Sequence, residues 1–311
     1  MKSVDDVPRE EYYASGHRTC AGCGPAIACK LIAKAAGPRT VILSSTGCMY
    51  VANTSYYLTP WVLPWMHTQL GAGGSAGAGT AAAFRALIRK RKMRAEPINV
   101  VAIAGDGGTA DIGMNALSGG MLSGQDFLYV CYDNQAYANT GIQASGTTPW
   151  GASTTFTPPG KARPIGNVRL NKDLARQIAA GHPNVEYVAT ASVSFPFDFM
   201  TKVRKGLAVE GPAFIQVQTP CPKGWKFDSS RTIEVGRLSV ETGNWFLYEV
   251  QKGSLRLTYR PRELLPVAEY IKAQGRFAHL GETDIETIQK RVDEASREMG
   301  LKASTVRAPG G

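Results

Sequence analysis

Short apolar runs alternate along this chain with stretches of helical period, and that alternation narrows its possible folds more than any other feature. The runs are "TVILSS" (40–45), "INVVAIAG" (98–105), "DFLYVCYD" (126–133), "VEYVATAS" (185–192) and "AFIQVQ" (213–218). Helices are expected between and after them, over 25–36, 72–92, 111–123, 172–180, 195–208, 263–273 and 283–298. Near-continuous apolar strands separated by helices build a doubly wound, mainly parallel α/β sheet with helices on both faces. The 311 residues, 43% hydrophobic and 19% charged, provide the core of an ordinary globular protein. Residues 1–238 are expected to form the main domain. Residues 239–311 read as a C-terminal extension, with a hairpin around "EVQKGSLRLTY", packing on the core or on a partner.

Two segments break the rhythm. Residues 46–67 are aromatic and proline-rich, too irregular for a helix; residues 139–164 form a long loop of small and hydroxyl-bearing residues. A loop of that length beside a strand end reads as functional. "LGAGG" (70–74) resembles a dinucleotide loop but has no strand expected before it, and is read as close helix packing.

The formal charge of +10 admits nucleic acid, an acidic protein or an anionic ligand. Its densest patch, "RALIRKRKMR" (85–94), reads as the solvated last turns of a helix, where cations complement the negative dipole end. No aromatics interleave with those charges as base stacking requires, so no nucleic acid is expected, with an acidic docking partner as the alternative. No window approaches the 18 apolar residues of a membrane span. The start, "MKSVDDVPREEYY", carries acids and no apolar core. A cytoplasmic location without membrane contact is expected.

In an open α/β sheet, ligands sit beyond the carboxyl ends of strands. "GDGG" (105–108) lies at one such end and "YDNQAYANTGIQ" (132–143) at the next, with 26 residues between Gly107 and Asn134, enough for one helix and one strand. The chemistry suits a magnesium diphosphate. Asp106 offers a carboxylate, Asn134 an amide oxygen and the region of Ala136 a main-chain carbonyl, the oxygen donors magnesium prefers. Gly105, Gly107 and Gly108 let the backbone approach, and a helix opening near Ala110 points amides at the anion. GDG alone is common, but with an Asn-bearing strand end at this distance it resembles the thiamine-diphosphate signature of transketolase-like enzymes. Asp111 is read first as a cap of the following helix, with pocket shaping as the alternative.

Six cysteines in such a chain argue against a disulfide framework. Cys29 and Cys131 fall in apolar helix and strand positions and read as inert core. Cys20 and Cys23 ("CAGCG"), Cys48 ("STGCMY") and Cys221 ("PCPKGW") remain for one Cys₄ site, for which spacing leaves zinc and iron–sulfur open. His67, among aromatics, is read as structural.

The ordered motifs "CAGCG", "TGC", "TPWVLPWMH", "GDGGTADIG", "YDNQAYANTGIQ", "SGTTPWGA", "VETGNWFLYEV" and "PVAEYIKAQGRFAHL" run over nearly the whole chain. With them the sequence resembles the β subunit of the 2-oxoacid:ferredoxin oxidoreductases, the pyruvate:ferredoxin oxidoreductase family. The resemblance implies a transketolase-like fold binding thiamine diphosphate and Mg2+, with Cys20, Cys23, Cys48 and Cys221 holding one [4Fe–4S] cluster beside it. Asp106, Asn134 and the Ala136 carbonyl would hold the magnesium. Gly105, Asp106, Gly107 and Gly108, with Asn134, Gln135, Ala136, Tyr137 and Asn139, would cradle the diphosphate. The turn of Thr46, Gly47 and Cys48 would lie against the thiamine. Asn139 would face the substrate and, with the polar loop 140–148, orient the reacting group.

The implied reaction is oxidative decarboxylation of a small oxoacid or of oxalate, with electrons leaving singly through the cluster to ferredoxin, an acidic acceptor. Partner subunits would supply the activating glutamate and further clusters. On resemblance oxalate is favoured slightly, with pyruvate and acetyl-CoA formation as the alternative. Pro25 stands where many relatives carry a glutamate, so any cofactor contact of that side chain is lost. A non-redox thiamine decarboxylase with structural zinc and a basic nucleic-acid-binding module are the rival classes.

Overall fold

All five expected runs form strands, and three further short strands join them in one eight-stranded sheet. The computed structural model describes residues 3–54 and 58–302. The strands are β1 (Thr40–Ser45), β2 (Trp65–Thr68), β3 (Asn99–Gly105), β4 (Leu128–Asp133), β5 (Tyr187–Ser192), β6 (Ala213–Gln218), β7 (Tyr248–Gln251) and β8 (Ser254–Leu257). Their order is β2-β1-β3-β4-β6-β5-β7-β8. The first six positions pair in parallel; the β7–β8 hairpin adds antiparallel to β5.

Successive side chains of a strand point to opposite faces, and β3 shows the consequence. Val101 and Ile103 enter a core shared with helices Gly24–Ala36 and Pro196–Ala208, while Val100, Ala102 and Ala104 enter one shared with helices Gly73–Arg89, Met114–Leu122 and Leu174–Gly181. Both helices of the first face open on proline, Pro25 and Pro196, where the missing N–H costs nothing. A third core joins Trp225 and Ala152 to helices Val267–Lys272 and Glu282–Glu298. Residue 238 lies inside helix Thr232–Glu241, and the hairpin beyond it belongs to the main sheet.

Several local expectations need correction. The irregular stretch 46–67 contains a short helix, Cys48–Val51, and strand β2; its residues 55–57 lie outside those described. "LGAGG" therefore does follow a strand. It still serves helix packing, since a Cβ on Gly74 would lie 2.5 Å from the Ala116 carbonyl oxygen. Helix Thr232–Glu241 and the single turn Pro222–Trp225 were not expected. Among the described residues no helix is long and apolar enough to cross a membrane.

Candidate active site

β3 and β4 are neighbours, with Gly105 paired to Tyr132, so "GDGG" and "DNQAYAN" leave the sheet side by side. Thr46, Gly47, Cys48, Gly105, Asp106, Gly107, Gly108, Asn134, Ala136, Tyr137 and Asn139 line one cleft there. Gly107 is needed for close approach: a Cβ on it would lie 2.3 Å from the Tyr137 ring. The chain then enters a π-helical turn, Gly107–Asp111, in place of the expected α-helical start. Such turns are rare and recur at functional sites.

The candidate magnesium donors converge. With its amide nitrogen facing them, Asn134 donates to Asp106 Oδ1 (3.1 Å) and to the Ala136 carbonyl oxygen (2.8 Å). Turned over, the same amide presents its oxygen to the same point, and three oxygens then face one another. A divalent cation among them suits that donor set. The residues thus fit magnesium.

Behind these donors lies a pair of buried carboxylates. Burial pushes the Asp106 carboxyl well above its ordinary value and Asp133 adds to the rise; burial likewise moves Asp133 up, to about 6, against hydrogen bonds from Gln216 and Thr147. Thr147 Oγ1 bridges the two, 3.0 Å from Asp106 Oδ2 and 2.9 Å from Asp133 Oδ1, and Ser145 Oγ also donates to Asp106. Gln216 Nε2 (2.7 Å) and the Gln135 amide (2.9 Å) complete Asp133. The polar loop expected to face the reacting group therefore spends Ser145 and Thr147 on holding Asp106.

Asp111 shapes the pocket rather than capping a helix. It ends the π-helical turn and accepts from Tyr137 Oη (3.1 Å), the Gly146 amide (2.9 Å) and Lys172 Nζ (3.0 Å). Tyr137 Oη also lies 3.1 Å from the Gly107 carbonyl, so this acid ties the glycine turn to the long loop. Gln135 departs from its expected place. It does not line the cleft; its side chain, buried beneath, accepts from Arg276 Nη2 at 2.7 Å.

The four chemistry-bearing cysteines come together from three distant parts of the chain. Cys20, Cys23, Cys48 and Cys221 line a cavity of about 450 Å³, and Pro25 lies in its wall. Gly24 permits the approach: its amide donates to the Pro220 carbonyl, and a Cβ there would lie 2.5 Å from that oxygen. Burial pushes the Cys23 and Cys48 thiols up to about 12 and raises Cys221 as well. Without metal they stay protonated at neutral pH, whereas coordination to a metal deprotonates a thiol outright. Among the described residues no three His, Cys, Asp or Glu side chains are close enough to hold a single metal ion. A cubane takes one thiolate at each of four corners, and four cysteines around one cavity match that donor count. Cys29 and Cys131 are fully buried in the cores, as expected.

The cleft and the cysteine cavity share a wall: Cys48, Asn134, Ala138 and Asn139 line both. At the rim, His67 in β2 accepts or donates a 2.7 Å hydrogen bond with Thr46 Oγ1 and stacks on Tyr50, with ring centroids 3.6 Å apart.

Comparison with known proteins decides the family. Residues 45–217 match the family described as thiamine pyrophosphate enzyme, C-terminal TPP binding domain. The pyruvate synthase subunit PorB of Methanocaldococcus jannaschii is 52% identical over 299 residues, covering 96% of this chain and 99% of that one. The ketoisovalerate oxidoreductase subunit VorB of Pyrococcus abyssi is 40% identical, covering 93% and 92%. This chain is a β subunit of the 2-oxoacid:ferredoxin oxidoreductase family. A solved 2-oxoglutarate:ferredoxin oxidoreductase from Magnetococcus marinus shares its fold, with a TM-score of 0.52 at 20% identity over 73% of this chain and 79% of that one. As a 2-oxoacid:ferredoxin oxidoreductase β subunit, the chain binds thiamine diphosphate and works with partner subunits. Its cleft residues and Cys48 fall within the matched domain; Cys20, Cys23 and Cys221 lie outside it.

Sequence reasoning missed Asp133, Trp225 and Arg276, and set Ser145 and Thr147, with the loop 140–148, against the reacting group rather than on Asp106. Asp133 adjoins Asn134 in the same motif, so a second buried acid was legible there. The other four act from loops or from the extension, and no spacing rule connects them to the cleft.

Proposed function

We propose that this subunit holds magnesium and thiamine diphosphate in the cleft and a [4Fe–4S] cluster in the cysteine cavity, and that the assembled enzyme oxidatively decarboxylates pyruvate. The observation that carries this reading is the wall shared by the two cavities. Bound, thiamine diphosphate supplies carbanion stabilisation for loss of carbon dioxide, and the cluster supplies one-electron acceptance. Asp106, the Asn134 amide oxygen and the Ala136 carbonyl bind the magnesium. Ser145 and Thr147 keep Asp106 aimed, and Asn139, in the shared wall, orients the substrate. Partner subunits provide the activating glutamate and further clusters, and ferredoxin takes the electrons.

Pyruvate is proposed because pyruvate synthase subunits recur among the relatives at high identity, including 44% with that of Methanosarcina barkeri. The slight preference for oxalate finds no specific support in those relatives. Coenzyme A is accordingly the proposed acyl acceptor. The test is viologen reduction by the anaerobically purified, assembled enzyme with pyruvate, 2-oxoisovalerate or oxalate, with and without coenzyme A. The highest kcat/KM is expected for pyruvate with coenzyme A. Preference for oxalate would overturn the substrate assignment, and carbon dioxide release without dye reduction would favour the non-redox rival.

A further inference from the structure

We propose that Arg276 is the internal counter-charge of this site, a positioning residue that anchors the Asn134–Gln135 turn and raises the reduction potential of the cluster held by Cys221. The inference rests on the cluster assignment made above.

Arg276 comes from the C-terminal extension, in the turn Gly275–Phe277, and is 2% exposed. Its hydrogen-bond partners are all neutral: Gln135 Oε1 at 2.7 Å, Gln274 Oε1 at 2.9 Å and Tyr270 Oη at 3.3 Å. Among the described residues it forms no ion pair, in contrast to buried Lys202, which meets Asp198 at 2.6 Å. A buried charge without an opposite charge is costly. Burial lowers the guanidinium to about 10, which leaves it a cation at neutral pH.

The geometry shows what it faces. The guanidinium stacks on the Trp225 ring, 4.0 Å from its centroid. That ring donates 2.8 Å to the Asn134 carbonyl, and Trp225 closes the single turn that Cys221 opens, its amide donating 2.8 Å to the Cys221 carbonyl. The cation therefore meets the magnesium turn directly, through Gln135, and one aromatic ring separates it from the turn that a cluster cysteine opens. Arg276 lines neither cavity and acts on both through Gln135 and Trp225. A fixed cation in a poorly polarisable interior stabilises the more negative, reduced cluster, and local charge is among the factors that set iron–sulfur potentials.

The test uses the full chain, reconstituted anaerobically with iron and sulfide so that one cluster is observed, and an EPR-monitored redox titration. Arg276→Gln is expected to keep its iron and to lower the reduced-to-oxidised ratio at fixed potential about tenfold, or about 59 mV for one electron. Arg276→Lys keeps the charge and is expected to stay within about threefold of wild type, on the same logarithmic scale. Gln135→Glu sets a carboxylate against the guanidinium and is expected to shift the ratio in the same direction as Arg276→Gln. Wild-type midpoints in both Arg276→Gln and Gln135→Glu would overturn the proposal, as would equal displacement of Arg276→Lys and Arg276→Gln. If Arg276→Gln fails to hold iron, an unshifted Gln135→Glu alone overturns it. A wild-type chain that takes up no iron would overturn the cluster assignment itself, a result distinct from an iron-loaded chain with unmoved potentials.

Discussion

The Trp225 indole nitrogen donates to the main-chain carbonyl of Asn134 across 2.8 Å, with both residues buried. The bond fastens the turn that follows Cys221 to the turn of Asn134, the proposed magnesium donor. The two halves of the site are thereby one mechanical unit, although Asn134 and Trp225 are 91 positions apart. Trp225→Phe keeps the ring and leaves the Asn134 carbonyl without its partner. An orphaned buried acceptor costs about 1–3 kcal/mol. Urea denaturation of the metal-free chain is expected to show that loss, and calorimetry about tenfold weaker binding of magnesium thiamine diphosphate. Unchanged affinity would mean that the two turns are held independently.

Burial, and then the neighbouring Asp133, disfavour the ionised form of the Asp106 carboxyl. Asp106→Asn removes one of two like charges while preserving shape. The variant is expected to unfold at a higher temperature than wild type when metal-free. It should bind magnesium thiamine diphosphate at least about 100-fold more weakly, beyond the 10–100-fold typical of outer-shell changes. Opposite signs in the two measurements separate a ligand from a merely structural acid.

Where a charge pair lies far from the cleft, acid sensitivity follows from the fold alone. Glu249 in β7 is nearly buried and accepts from Lys205 at 2.9 Å, from Tyr187 Oη at 3.1 Å and from Arg256. Burial pushes its carboxyl up, but the Lys205 and Arg256 contacts outweigh that and hold it below the ordinary value. A carboxyl whose folded-state pKa is depressed adds stability that is present above its unfolded value, about 4.3, and fades as pH falls through the folded one. Wild type is thus expected to exceed Glu249→Gln in stability at pH 6–8 and to lose that advantage below about pH 4. A pH-independent difference would show that the carboxylate charge contributes nothing.

The fold was largely legible because its signal is periodic and local. The five long strands and most helices follow from apolar runs, and the β3–β4 crevice follows from where "GDGG" and "DN" fall. Strand β2 was not legible: its four residues, Trp65–Thr68, follow prolines at 60 and 64 and carry no alternation, and its place is set by pairing with β1. Of the cleft residues, Gly105 to Gly108, Asn134 and Ala136 were legible from motif spacing, and Thr46 to Cys48, Tyr137 and Asn139 through the family resemblance; Gln135, expected with them, turns under the cleft, with a positive φ of 63°, to meet Arg276. That contact spans 141 positions, and a lone arginine in an extension carries no mark of its partner. Asp111 was misread because an acid in a first helical turn has a common local use, whereas its three partners here come from segments the local pattern does not reveal.

The most direct measurement is iron and acid-labile sulfide in the full chain, purified without oxygen, beside a Cys48→Ser variant. About four of each per wild-type chain are expected, with a marked loss when Cys48, the cysteine in the wall between cleft and cavity, is replaced. A colourless chain containing zinc, or a Cys48→Ser variant with undiminished iron, would contradict a cluster seated against the thiamine site.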